Sequence, residues 1–175
     1  GGFSDYTVVA ARHAYKIESR LSDTELAPFP CSYSTAENLL ERSKTKTGDR
    51  VLVTGASGGV GSAVIQLARA RQARVFAVTS QSKSDEILRL GAEQTFARED
   101  SLVEKIGANN IDVVIDLVGG SQWPELLDIL RPGGRYAVAG AHGGTGPPDS
   151  ISEGFELVWL YGAGTRGICE FDRPH

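Results

Sequence analysis

The stretch Val53-Thr54-Gly55-Ala56-Ser57-Gly58-Gly59-Val60-Gly61 holds the residue types and spacing best suited to chemistry. An apolar run, Val51-Leu52-Val53-Thr54, leads into it, with the length and type of a buried parallel strand. Apolar residues then recur at Val60, Ala63, Val64, Leu67 and Ala68, which is one face of a helix. A strand that turns through glycines into a helix can hold a phosphate. The helix start offers unbonded N–H groups and the positive end of its dipole. A pyrophosphate approaches that backbone closely only where no Cβ intervenes, a role that suits Gly58 and Gly59. Gly61 then lets the helix pack tightly on the strand. A Walker loop is excluded, because Gly61 is followed by Ser62-Ala63 rather than by Lys and Ser or Thr.

The elements around this turn alternate regularly. Ser34 to Lys44 reads as a helix leading to the turn Thr47-Gly48-Asp49. Beyond the glycine turn come a strand over 74–79, a helix over 84–90 ended by Gly91, and a short strand over 93–96. Ser101 caps a helix containing Leu102, Val103 and Ile106. A fourth strand over 111–117, a helix over 121–130 stopped by Arg131-Pro132-Gly133-Gly134, and a fifth strand over 136–140 follow. A Gly/Pro loop over 141–150, a helix over 153–161 and a sixth strand over 165–171 complete the pattern. The expected fold is α/β: a doubly wound, parallel, six-stranded Rossmann sheet with helices on both faces, in three αβα layers. Residues 1–30 read differently. Two short strands, 6–10 and 14–17, precede a helix over 21–27 capped by Ser22 and stopped by Pro28 and Pro30.

Bulk properties narrow the function classes. The chain has 175 residues, enough for one ordinary domain with a real core. A net charge of −4 argues against a nucleic-acid partner, which needs a basic face. No apolar run reaches the roughly 20 residues of a membrane helix, and no signal peptide opens the chain. Cys31 and Cys169 therefore read as reduced thiols in a cytoplasmic protein. The chain contains no Met, even at position 1, and reads as a piece of a longer protein.

Further signatures carry a family resemblance. Thr54-Gly55-x-x-x-Gly59-x-Gly61 also matches the opening of short-chain dehydrogenases. That family needs Tyr with Lys four residues later, and Ala10, Ser19, Glu37, Gly140 and Thr165 stand four after the five tyrosines. Instead, Gly2-Phe3-Ser4-Asp5-Tyr6, Ser34-Thr35-Ala36, the 48–53 approach, Asp112 to Gly120 and Leu130 to Arg135 together resemble the medium-chain dehydrogenase/reductase superfamily. Its quinone-oxidoreductase and zinc-alcohol-dehydrogenase-like branches are the most similar. The resemblance implies an NAD(P)H-dependent oxidoreductase moving hydride between nicotinamide and a carbonyl, alcohol or quinone/enone substrate. A non-catalytic dinucleotide-binding or redox-sensing module is the alternative.

The resemblance also implies that residues 1–30 are a remnant of the catalytic, GroES-like domain and that 31–175 form the cofactor domain. Most catalytic groups then lie outside this chain, and the piece itself is expected to be inactive. Cofactor contacts are expected from Thr35, Ala56, Ser57, Gly58, Gly59, Val60, Thr79, Ser80, Lys83, Val118 and Gly140. Cys31 stands where zinc-dependent members place a metal ligand. A catalytic zinc needs three protein ligands, so zinc is expected only in a full-length protein. His142 follows the fifth strand near the expected nicotinamide position, where a solvated loop histidine is the plainer reading. A homodimer is expected, joined through the edge strand over 165–171.

Cofactor choice turns on the end of the second strand. An NAD site places Asp or Glu there for the ribose 2′-hydroxyl. Here Thr79-Ser80-Gln81-Ser82-Lys83 offers hydroxyls and a cation, which favours NADP(H) over NAD(H). Asp85 and Glu86 are expected to point away, one turn into the next helix. The Tyr often found after the family's third strand is replaced by Ala97, with Arg98 beside it as a possible substitute.

Overall fold

The computed structural model describes residues 4–140 and the backbone of 156–160. Strands β1 (Arg50–Val53), β2 (Arg74–Val78), β3 (Gln94–Phe96), β4 (Ile111–Asp116), β5 (Leu130–Ala139) and β6 (Glu156–Leu160) form one sheet. Their order is β3-β2-β1-β4-β5-β6, and every neighbouring pair is parallel. Strand order reverses between β1 and β4. In such a sheet the crevice for a ligand opens outside the carboxyl ends of the strands, at that reversal.

Both faces of the sheet are covered, which is why its strands read as continuous apolar runs. On one face Val51 and Val53 pack with Leu39 and Leu40 of α2 (Ser34–Arg42), Ala63 and Val64 of α3 (Gly59–Ala70), and Ile87 of α4 (Ser84–Leu90). On the other face Leu52, Phe76 and Val114 meet Leu102 and Ile106 of α5 (Leu102–Ile106) and Trp123 and Leu126 of α6 (Trp123–Asp128). The three αβα layers expected from the sequence are therefore present. Val51, Leu52, Val64 and Ile65 are fully buried, each contributing about 1.5–3 kcal/mol through burial. The predicted caps are also in place: the Ser101 hydroxyl accepts the Glu104 N–H, and Gly91 ends α4 at φ 121°.

Several elements differ from the sequence expectation. The segment read as a helix over 153–161 carries a strand instead, its backbone paired parallel to β5 from Arg135↔Glu156 to Ala139↔Leu160. A short apolar run fits either state by periodicity, and here the open edge of β5 decides for the strand. The start of β5 lies earlier than expected, because Leu130 already pairs with Ile111. The Arg131-Pro132-Gly133-Gly134 stretch is a register shift within the strand rather than a loop before it. The strands expected over 6–10 and 14–17 are absent. Those residues are extended or irregular, with one short 3-10 turn at Ala11–His13, and they are exposed with no strand to pair with. Helix α1 (Asp23–Leu26) is present but shorter than 21–27, with Ser22 and Glu25 forming a reciprocal capping box. The strand expected over 165–171 lies outside the described residues, as do His142 and Cys169.

Candidate cofactor site

The glycine turn sits at the carboxyl end of β1, between the ends of β2 and β4. Gly55 makes the tight turn at φ 59°, a conformation in which a Cβ is strained. A Cβ there would also lie 3.2 Å from Val118 Cγ2 and 3.4 Å from Leu117 Cβ, so the turn is pressed against the end of β4. Gly61 allows a second close approach. Its Cβ would fall 2.7 Å from Ala56 Cα and 2.9 Å from Ala56 C, and closer still to Gly55 O. The helix start thus lies directly on the turn.

Helix α3 begins at Gly59 with Gly58 as its N-cap, with no side-chain cap and no acid in the first turn. The Gly58 N–H bonds Gly55 O (3.0 Å) and the Ser62 N–H bonds Gly58 O (2.9 Å). The amides between them, at Gly59, Val60 and Gly61, are the orphan donors every helix start carries. The dipole adds a fractional positive charge there. Gly58 and Gly59 are exposed, so an anion can reach these donors. At Gly59 a Cβ would meet the Ser32 hydroxyl at 2.8 Å, which brings the turn at Phe29–Tyr33 to the rim of this site.

A buried hydrogen-bond cluster holds the ends of β1 and β4 in register. Asp116, 1% exposed, accepts the Thr54 hydroxyl (2.5 Å), the Val118 N–H (3.0 Å), the Gly119 N–H (3.1 Å) and the Tyr136 hydroxyl (2.7 Å). Thr54 Oγ1 in turn accepts the Leu117 N–H (3.0 Å). Four donors around one carboxylate are what a buried charge requires. Tyr136 is pushed well above the ordinary tyrosine range, first by burial and then by the adjacent Asp116 charge. Its ring stacks on Trp123 at 4.9 Å.

Beside this cluster opens a cleft of about 350 Å³, lined by Thr54, Gly55, Val78, Arg98, Val118, Gly119, Ser121 and Gln122. Thr79, one residue past β2, is 2% exposed and its Oγ1 has no hydrogen-bond partner among the described residues. A buried hydroxyl without a partner marks a place where a ligand or water completes the bonding. The unpaired Thr79 hydroxyl and the glycine cradle together fit a dinucleotide.

The expected contact residues are brought together only in part. Ser57, Gly58, Gly59 and Val60 form the turn and helix start, and Val118, Thr79 and Ser80 stand at the adjoining strand ends. Ala56 is fully buried and gives its N–H to Val78 O (3.2 Å), so it shapes the turn and has no amide left for a ligand. Thr35 is half-buried on α2, and Gly140 is exposed at the end of β5 with φ 80°. Neither lines the cleft. Lys83 is exposed, and its Nζ lies 3.0 Å from Glu86 Oε2, so the expectation that Glu86 points away is corrected: three residues apart on the α4 start, the two side chains meet. The Asp116 cluster, Ser32, Ser121 and Gln122 were not anticipated. The available signal was Asp116 itself, an acid at the end of a buried apolar strand just before Leu117-Val118-Gly119-Gly120.

Cys31 is an exposed free thiol. Among the described residues no group of three His, Cys, Asp or Glu side chains could hold a metal ion, so no zinc site is built from them. Among them, too, no helix is long and apolar enough to cross a membrane.

Fold and site define a doubly wound parallel α/β domain with a glycine turn open at the β1–β4 reversal. Residues 59–162 match the zinc-binding dehydrogenase family, and the chain belongs to it, within the medium-chain dehydrogenase/reductase superfamily. Human quinone oxidoreductase is 34% identical over 150 residues, covering 82% of this chain and 46% of its own length. A solved structure of a putative alcohol dehydrogenase from Sinorhizobium meliloti 1021 is 47% identical with a TM-score of 0.79, covering 85% of this chain and 43% of that one. The quinone oxidoreductase of Thermus thermophilus, solved also as its NADPH complex, is 30% identical with a TM-score of 0.69, covering 82% and 48%. The chain spans a little under half the length of the curated relative from human.

Proposed function

We propose that this chain binds a nicotinamide dinucleotide, NADP(H) in preference to NAD(H), as the cofactor-binding part of an oxidoreductase. The observation that carries the reading is the open N-terminus of α3, uncapped and free of acids behind the glycine turn at the strand reversal. The pyrophosphate would rest on the Gly59 and Val60 amides. The adenosine end would occupy the cleft between Val78 and Val118. No acid stands at the end of β2, where an NAD site would have one, and Ser80 is placed beside Thr79. The NADPH complex of the Thermus relative is in keeping with this preference.

A bound nicotinamide supplies or accepts a hydride at its ring. The substrate class is a carbonyl, an alcohol, or a quinone or enone, in line with the quinone oxidoreductases among the relatives. Groups that orient substrate and relay its proton would come from the part of those relatives that this chain does not span. Residues 1–30 would belong to that catalytic part, which accounts for the exposure of Tyr6 (91%) and Val8 (99%). A zinc held through Cys31 would likewise need ligands from there. A homodimer would form through the stretch over 165–171, the expected edge strand.

The test is titration of NADPH and NADH into the protein, followed by nicotinamide fluorescence. Saturable binding of both, with NADPH tighter, is expected. Absence of binding by either would overturn the reading. Equal affinity would overturn the NADP preference alone.

A further inference from the structure

The candidates outside the glycine turn reduce to few. The buried Asp49–Arg135 pair (2.9 Å) lies toward the amino ends of the strands, away from the glycine turn, where the guanidinium also donates to Lys44 O (3.3 Å). Cys31 stands alone among the described residues. The side chain that remains unexplained is Arg98.

Arg98 lines the adenosine cleft and, among the described residues, is the one ionisable side chain that does. Its backbone is fixed: the Gln122 side-chain amide donates to Arg98 O at 3.2 Å, tying the residue to the loop after β4. Of the two acids that follow it, Glu99 is exposed and does not line the cleft, and Asp100 is already engaged. Its carboxylate accepts the Ala97 N–H (2.8 Å) and pairs with Lys105 Nζ (2.6 Å). Strands β2 and β3 pair Val78 with Phe96, so continuing that register by two residues sets Arg98 opposite Ser80. Lys83, the cation that the sequence points to, is by contrast held by Glu86. A phosphate at Lys83 would meet the Glu86 carboxylate as well, whereas a phosphate at Arg98 meets no acid lining the cleft. Guanidinium also offers a planar two-donor fork that matches phosphate oxygens, which ammonium does not.

We propose that Arg98, rather than Lys83, is the specificity-determining cation of this site and receives the 2′-phosphate of NADP(H). The proposal rests on the dinucleotide reading above. The register that sets Arg98 opposite Ser80 puts a hydroxyl across from the guanidinium, and Val78 and Val118 supply apolar walls for the adenine.

The test compares NADPH and NADH dissociation constants for the wild type, Arg98→Met, Arg98→Lys and Lys83→Met. Arg98→Met is expected to weaken NADPH by about tenfold to a hundredfold, the loss of a charged hydrogen-bonded pair, while NADH changes by less than about twofold. Arg98→Lys recovers part of the loss, and Lys83→Met weakens NADPH by less than about threefold. Equal losses for both cofactors in Arg98→Met would overturn the proposal, because the guanidinium would then serve adenine rather than phosphate. A larger NADPH loss in Lys83→Met than in Arg98→Met would overturn it too. If the wild type binds neither cofactor, the dinucleotide reading itself fails. If it binds both and Arg98→Met changes nothing, only this inference fails. Arg98 and Lys83 are exposed, so an unchanged urea midpoint confirms that each variant is folded.

Discussion

Replacing Gly61 by Ala separates the two tasks of the glycine turn. A methyl at this position would lie 2.7 Å from Ala56 Cα and 2.9 Å from Ala56 C. Carbon atoms pack best at about 3.5–4.0 Å, so the overlap is about 0.7 Å or more. Both partners are backbone, inside a turn already pressed against Val118, and they cannot rotate away. Helix α3 must back off the sheet, loosening Ala63, Val64, Ile65 and Ala68, all fully buried. Overpacking of this kind costs about 1–3 kcal/mol, and the rigidity of the obstacle puts Gly61→Ala near the upper end. For a chain of this size that corresponds to a Tm lower by roughly 4–10 °C. Gly58→Ala is the control. Its φ is −78° and the nearest atom to a Cβ is Gly55 O at 3.4 Å, an ordinary contact. The stability cost there is about 1 kcal/mol or less, the difference between Gly and Ala at an N-cap. Its methyl would nevertheless stand where the pyrophosphate approaches. Thermal unfolding by circular dichroism and NADPH titration on both variants give the answer. Gly61→Ala should lose stability, and Gly58→Ala should keep its fold and lose affinity. A Gly61→Ala variant as stable as the wild type would refute the packing argument, and a Gly58→Ala variant with undiminished NADPH affinity would refute the placement of the phosphate.

Thr79→Val removes a buried hydroxyl that has no partner, so the ligand-free protein should gain up to about 1 kcal/mol in urea denaturation while its NADPH affinity falls. Tyr136 has its pKa raised on folding, so its share of stability is present below the ordinary tyrosine value of 10.0 and is lost as pH rises beyond it. Urea midpoints measured across the alkaline range should therefore fall less steeply in Tyr136→Phe, which also loses about 1–3 kcal/mol at neutral pH by leaving Asp116 short of a donor. Glu93 is held below the usual carboxylate range by the Arg74 side chain, so its share is present above that range and is lost as pH falls through the lowered value. Acid-unfolding curves of Arg74→Met should accordingly show less of this loss than the wild type.

The order of elements from Arg50 to Ala139 was legible because the central strands β1, β2 and β4 are largely apolar runs and the helix after the glycine turn carries one apolar stripe. Those patterns survive without knowledge of any neighbour. What was not legible depends on neighbours. Leu157, Val158 and Trp159 fit a helix or a strand equally well until the free edge of β5 is known. The 6–10 and 14–17 stretches have strand-like composition, yet composition cannot supply a pairing partner. The glycine turn was readable residue by residue: Gly55 and Gly61 are demanded by local geometry, and Gly58 and Gly59 leave room for a phosphate to approach. The adenosine end was readable only in outline. A salt bridge between Lys83 and Glu86, and a cleft shared by Arg98 and Gln122, arise from rotamers and from residues 24 positions apart.

Asp116 shows why the glycine turn alone would not make a site. The carboxylate binds Thr54 at the end of β1, two amides at the end of β4 and Tyr136 within β5, so three adjacent strands meet at one charge. Val118, whose amide is one of the four donors, is also the residue that abuts Gly55 and the apolar wall of the cleft. The height of the turn, the wall of the cleft and the core beneath Trp123 are therefore coupled through a single side chain. Asp116→Asn keeps the shape and removes the charge. One of its amide hydrogens would face donors that the carboxylate accepts, and leaving buried groups mispaired costs about 1–3 kcal/mol each. Because those donors belong to the wall of the cleft, the loss should appear in cofactor affinity as well as in unfolding. A variant that loses stability yet binds NADPH with wild-type affinity would show that the cluster supports the core alone and leaves the cleft to form without it.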